Sequence, residues 1–187
     1  MVALGTATPD FRLLDVVTHR VVSKDDFADT SALLVMFICR HCPFVVHVQD
    51  ELARIGRDYA ATDVGIVAIS SNDATTHPDD APDQLAAQAR ELGFTFPYVY
   101  DEHQDVARAF DAACTPDLFL FANGKLVYRG QLDDSRPGNG KPVTGRDLRD
   151  AIEAVRAGRP VAQPQVPSIG CNIKWKAPSA VGGAARR

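Results

Sequence analysis

The chain has 187 residues, of which 45% are hydrophobic and 24% charged, an ordinary globular composition with enough length for one full core. Its formal net charge is −4 and no basic block occurs, so neither a nucleic acid nor an anionic membrane surface is an expected partner. No apolar run reaches bilayer length, which argues against a membrane-spanning helix.

Hydrophobic periodicity gives the elements in chain order. Residues 11–23, FRLLDVVTHRVVS, are rich in β-branched types and predict two short strands about a turn. Residues 31–38, SALLVMFI, form an apolar run of strand length, as expected where both faces are covered. From Pro43 the period changes. Phe44, Val48, Leu52, Ile55 and Tyr59 recur at helical spacing, and a proline suits the first helical position because a missing N–H costs nothing there. Residues 64–70 predict a second buried strand. The polar stretch 71–84, with two prolines, and the acidic pair Asp133–Asp134 read as solvated loop, with shaping of a site or binding of a cation as the alternative.

Leu85, Ala89 and Leu92 predict a short helix that Gly93 can end in a left-handed cap. Residues 96–101 predict a strand and 105–110 a turn or two of helix. Residues 116–121 and 125–131 predict a hairpin closed at Asn123–Gly124, both of which tolerate positive φ. Thr144 and Asp147 mark a helix start, Leu148, Ile152 and Val155 its apolar stripe, and Gly158 its stop. Residues 159–167 form a proline-bearing arm, and SIGCNIKWK (168–176) is expected to pack through Ile169, Ile173 and Trp175. The small and polar residues 177–187 are expected to be a disordered tail. Strands alternating with helices, closed by a hairpin, predict one α/β domain over residues 1–176. It has a mixed central sheet flanked by helices, an N-terminal β-hairpin extension and a C-terminal arm.

Two of the four cysteines, Cys39 and Cys42, stand in FICRHCPFVVH, where the first buried strand gives way to the helix. The N-terminal MVALGTATPDF lacks the basic and apolar regions of a secretory leader, so a cytoplasmic location is expected, where a close thiol pair is more often catalytic than a staple. The thiolate is the reactive form, and the unpaired N–H groups of a helix entrance depress a thiol pKa. That favours Cys42 as nucleophile, with Arg40 and His41 beside it as sources of positive charge and Cys39 as the thiol that resolves a mixed disulfide. The opposite assignment, with Cys39 attacking as the first cysteine of a C-x-x-C pair, stays open. No metal or cofactor is expected. Cys39, His41, Cys42 and His47 could offer ligands, but no second separated pair completes a structural zinc site, and Pro43 stands where haem attachment needs a histidine.

Several blocks together carry a resemblance: TATPDFRL, FICRHCPFVVH, SSND, FPYVYDE, CTPDLFLFANGKLVYRGQLDDSRPGNG and PSIGCNIKWK. From about Leu4 to Lys176 the chain resembles the thioredoxin superfamily, in particular its peroxiredoxin-like proteins close to the AhpC/TSA group. The resemblance implies a thioredoxin-like fold, with Pro116 as a cis-proline facing the cysteine pair. Thr115 would then offer its backbone to a bound disulfide substrate, and Pro43, His41 and Arg40 would border the same surface. Laid over a thioredoxin, Cys42 takes the attacking position and Val45 the second. Laid over a peroxiredoxin, Cys42 takes the peroxidatic position, Cys39 falls where a Thr or Ser is usual and Val35 where a Pro is usual. The activating Arg is replaced by the region of Pro116, so the peroxide-activating set is incomplete.

The function expected is therefore thiol–disulfide exchange through Cys42 and Cys39. Its substrate would be a protein or small-molecule disulfide, with a thiol reductant as electron donor. A thiol peroxidase with Cys42 peroxidatic, and a redox-sensing module without turnover, are the alternatives. Cys114 and Cys171 are candidate additional redox thiols. Cys114 reads as a small core residue, and Cys171 would meet Cys42 if the C-terminal arm folds back.

Overall fold

A computed structural model describes residues 2–177. The tail expected over 177–187 therefore lies, except for Ala177, outside the described residues. The chain runs β1 (Arg12–Asp15), β2 (Val21–Ser23), β3 (Ala32–Phe37), α1 (Pro43–Tyr59), β4 (Val64–Ser70), α2 (Pro82–Leu92), β5 (Tyr98–Tyr100), α3 (Asp105–Ala109), β6 (Cys114–Thr115), β7 (Asp117–Ala122), β8 (Lys125–Gly130), α4 (Arg146–Arg156) and β9 (Cys171–Asn172). Seven strands form one sheet in the order β2-β1-β5-β4-β3-β7-β8, and β6 pairs with β9 separately.

The sheet is mixed, as the alternating pattern predicts. β3 runs parallel to β4 and β4 to β5, through the helical crossovers α1 and α2. β7 closes antiparallel on β3, and β8 on β7. The turn between them places Asn123 and Gly124 at φ 50° and 70°, the left-handed region that an Asn-Gly pair favours. The N-terminal hairpin of β1 and β2 adds to the far edge against β5.

All six residues of β3 and all seven of β4 are buried, which accounts for their unbroken apolar runs. Alternate side chains feed two cores. Leu34, Met36, Ala68 and Leu120 join Val48, Leu52 and Ile55 of α1, Leu85 of α2 and Ile152 of α4 on one face. Val35, Phe37, Ile69 and Phe119 join Phe110 and the α3 residues Val106 and Ala107 on the other. On that second face Phe37, Phe110 and Phe119 meet edge to face at centroid distances of 5.4–5.7 Å.

Three expectations need correction. The stretch 71–84 is not a solvated loop: Asn72, Asp73 and Asp80 are buried, Pro78–Asp80 form a 3-10 turn, and α2 starts at Pro82. Asp133 is also buried, while its neighbour Asp134 is exposed. Its carboxylate accepts the backbone N–H groups of Ser135, Thr144 and Gly145 at 2.6–2.9 Å and so holds the entrance of α4. In the arm, only Ile173 is buried; Ile169 is 56% and Trp175 43% exposed. β9 is two residues long, so its alternation does not reach either of them. Trp175 instead lies under the Arg108 guanidinium, 4.9 Å from the ring centroid.

Candidate functional site

Cys39 and Cys42 sit in the connection between the end of β3 and the start of α1. Both are fully buried. Cys42 is the N-cap of the 17-residue α1, in an extended conformation, and Pro43 takes the first helical position. At that position the free N–H groups of the first turn converge on the cap. The Val45 and Val46 N–H groups donate to the Cys42 carbonyl at 3.0 Å, and the Cys171 Sγ lies 2.8 Å from the Cys42 Sγ; the thiols of Cys39 and Cys171 and the backbone of Val45 and Cys171 all favour the charged form of Cys42.

These influences outweigh the one opposing contact. The carbonyl oxygen of Thr115 lies 3.2 Å from the Cys42 Sγ and accepts the proton of the thiol form. Donation from Cys39 is the largest influence lowering the Cys42 pKa. Burial resists it, and the balance holds the thiol at about 4. Cys39 moves the opposite way. Its hydrogen bond to Cys42, its burial and the nearby Asp80 all keep it protonated, while the Thr115 hydroxyl, 3.2 Å from its sulfur, weakly opposes them. The two sulfurs are thus differentiated into one anion and one acid, with the anion at the helix entrance.

The loop between the cysteines is fixed from outside by Asp80, a residue that the sequence reading placed in solvent. One carboxylate oxygen accepts the backbone N–H groups of Arg40 and His41 at 2.8 and 3.1 Å. The other accepts the Asn72 amide at 2.7 Å and pairs with His41 Nδ1 at 2.5 Å. The sulfur of Cys39, the His41 Nδ1 and an Asp80 oxygen lie within 4.8 Å of one another. Every Asp80 oxygen is already engaged by N–H groups, so the cluster is a poor cation cage.

Arg40 and His41 do not lend their charge to Cys42 as the sequence suggested. The Arg40 guanidinium binds the carbonyl and side-chain oxygens of Gln84 on α2 at 3.1 and 2.5 Å. The His41 ring turns to Asp80 and stacks on His77 at 5.0 Å. Both serve the position of the loop rather than the charge of the sulfur. His47, on α1, meets the Ser135 hydroxyl at 2.7 Å, away from the pair.

On the other side of the sulfurs, the Thr115–Pro116 bond is cis, as the resemblance implied. The Thr115 backbone is also occupied: it pairs antiparallel with Cys171 of β9. The Sγ of Cys171 lies 2.8 Å from that of Cys42. Cys171 is therefore joined to the pair, and Cys114 is not. The Cys114 thiol points to the Pro116 carbonyl at 3.5 Å, and burial together with Asp117 pushes it up to about 12. Nor is Cys114 a core residue as read from sequence; it is half-buried. The closeness of Cys171 carried no local signal beyond the presence of a fourth cysteine, because its partner lies 129 residues away.

Comparison with known proteins adds three results. The model of the AhpC/TSA family matches residues 4–129, ending before the arm that carries Cys171. A search of functionally curated proteins gave no significant match. Among solved structures, an uncharacterized conserved protein from Geobacillus kaustophilus is 53% identical over 96% of this chain and 95% of its own, with a TM-score of 0.93. A hypothetical protein from Sinorhizobium meliloti 1021 is 49% identical over 95% and 97%, also at 0.93. A putative thioredoxin from Neisseria meningitidis is 22% identical over 83% and 92%, at 0.62, and shares the fold.

Proposed function

The chain belongs to the AhpC/TSA family and has a thioredoxin fold; from that premise we propose that it is a thiol–disulfide oxidoreductase with Cys42 as nucleophile and Cys39 as resolving thiol. Family and fold support an oxidoreductase of the thioredoxin type. The observation that carries the finer reading is the asymmetry of the pair: Cys42 is drawn down at the α1 entrance while Cys39 is kept protonated beneath it.

In the first step the Cys42 thiolate attacks one sulfur of a disulfide R–S–S–R′, forming Cys42–S–S–R and releasing R′S⁻. Cys39 then gives up its proton to solvent or to a neighbouring group, with the Thr115 hydroxyl 3.2 Å from its sulfur and the His41–Asp80 pair within 4.8 Å. Its sulfur attacks the Cys42 Sγ and expels RS⁻. Two electrons have passed from the protein thiols to the substrate, and the Cys39–Cys42 disulfide remains. An external thiol reductant returns it to the dithiol. Thr115, the residue before the cis-proline Pro116, meets the reacting sulfurs with a hydroxyl on Cys39 and a carbonyl on Cys42.

The incomplete peroxide-activating set ranks a peroxidase second. Arg129, a buried guanidinium in this region of the sheet, is held by Asp117 at 2.9 Å and by the Phe119 ring. The test is reduction of a small model disulfide, recycled by dithiothreitol, in wild type and Cys42→Ser. Turnover that Cys42→Ser abolishes supports exchange. Turnover of hydrogen peroxide without turnover of the disulfide assigns the peroxidase instead, and oxidation of the pair without turnover of either assigns a redox sensor.

A further inference from the structure

The segment 165–176 crosses the site as a strap tied down at both ends. On one side Gln165 spans β8, its amide oxygen accepting the Arg129 N–H at 2.9 Å and its amide nitrogen donating to the Val127 carbonyl at 2.8 Å. The Ser168 hydroxyl donates to the Gly130 carbonyl at 2.7 Å. On the other side the Lys174 N–H donates to Asn72, the Lys176 N–H to Gln104, and the Gln104 amide to the Lys174 carbonyl, all at 2.8–2.9 Å. Ile173 is buried beneath this second tether.

Between the tethers, Gly170 and Cys171 lie against Thr115. A Cβ on Gly170 would fall 2.0 Å from the Thr115 carbonyl oxygen, so only glycine admits this approach. The register pairs Thr115 with Cys171 and Cys114 with Asn172. An extended segment of this same chain therefore holds the backbone edge at which an incoming disulfide-bearing strand would pair. Its cysteine stands over the nucleophile at 2.8 Å. Both sulfurs also feel the start of α1, where the Val45 backbone favours the charged form of Cys42 and the Phe44 backbone that of Cys171.

The three thiols differ in access. Cys39 and Cys42 are sealed, whereas Cys171 is partly open to solvent. We propose that Cys171 is a third redox thiol, an exchange port that carries the disulfide between the buried Cys39–Cys42 pair and solvent. This rests on the exchange reading above. When the pair is oxidised, the Cys171 thiol loses its proton and its sulfur attacks the Cys42 Sγ. The Cys42–Cys171 bond forms, the Cys39–Cys42 bond breaks, and Cys39 takes up a proton. No net oxidation occurs in this step. An external thiol attacks the partly exposed Cys171 sulfur, expelling the Cys42 thiolate and leaving Cys171–S–S–R; a second external thiol attacks that mixed disulfide, releasing R–S–S–R and the Cys171 thiolate, and so draws off the two oxidising equivalents. In the opposite direction, Cys42 bearing a mixed disulfide is attacked by Cys171, which expels the external thiolate.

The test uses the full chain, oxidised by an equimolar small aromatic disulfide, quenched in acid, alkylated and mapped by non-reducing mass spectrometry. In Cys39→Ser the port predicts a Cys42–Cys171 crosslink as the main product. In Cys171→Ser it predicts that dithiothreitol reduces the oxidised pair at least about tenfold more slowly, since a held thiol acts at high effective concentration. Gly170→Val keeps every thiol but displaces the strand, and predicts a similar loss of the crosslink in the Cys39→Ser background. Cys171 left free and alkylated in Cys39→Ser, with Cys42 carrying the aromatic thiol, overturns the port and leaves the exchange reading standing. A Cys42 that fails to react in any of these variants overturns both.

Discussion

Asp80→Asn tests how the site is held. The wild-type carboxylate takes four donors: the backbone N–H groups of Arg40 and His41 on one oxygen, the Asn72 amide and the His41 ring on the other. Asparagine offers a single oxygen. Whichever way its amide is turned, two of those donors face an NH₂ group instead of an acceptor. A hydrogen bond to a charged group contributes about 1.5–3 kcal/mol, so losing two costs about 3–6 kcal/mol, a large share of the ~5–15 kcal/mol that holds a domain folded. Asp80 is fully buried, so water does not replace the lost acceptor. Urea unfolding at pH 7 in the reduced state measures the loss. The variant should also lower the Cys39 pKa, because the Asp80 charge is one of the groups keeping that thiol protonated. A loss under about 1 kcal/mol, with Arg40 and His41 amide exchange unchanged, would refute the assignment of Asp80 as the clamp of the loop.

Further predictions concern the second buried carboxylate and the effect of pH. Asp133→Ala frees the N–H groups of Ser135, Thr144 and Gly145; it should cost about 2 kcal/mol or more and raise amide exchange at those three positions before the rest of α4, as hydrogen-exchange mass spectrometry would show. Cys42 has a folded pKa below its unfolded value, so its ionisation adds stability that is complete above the unfolded thiol range and is lost as pH falls through about 4. The stability difference between reduced wild type and Cys42→Ser should therefore shrink between pH 8 and pH 4, by up to about 1.4 kcal/mol per pH unit. A flat difference across that range, measured by denaturant titration, would contradict a depressed Cys42.

The central sheet was legible because its signals are local. Ala32–Phe37 and Val64–Ser70 announce themselves as unbroken apolar runs, and the Asn123–Gly124 turn by its two positive-φ residues. The helix entrance at Pro43 was legible for the same reason. Asp80 and Asp133 were not, because a carboxylate in a polar stretch looks the same whether it faces water or a ring of backbone donors. The donors of Asp80 on the cysteine loop lie 40 and 39 residues away. Arg40 was misjudged for a related reason: adjacency to Cys42 in sequence does not say that its guanidinium runs to Gln84. The seat of Cys171 over Cys42 depends on a two-residue pairing with β6 that no periodicity can report.

The most direct measurement is the ultraviolet thiolate absorbance of the fully reduced protein, titrated from pH 3 to pH 10 against Cys42→Ser, since it reads ionisation without requiring a reagent to reach a sealed sulfur. A Cys42 held at the α1 entrance predicts one thiolate already formed by about pH 6 in wild type and missing from the variant. Identical titrations, with no thiolate below the ordinary range near pH 8.5, would contradict it.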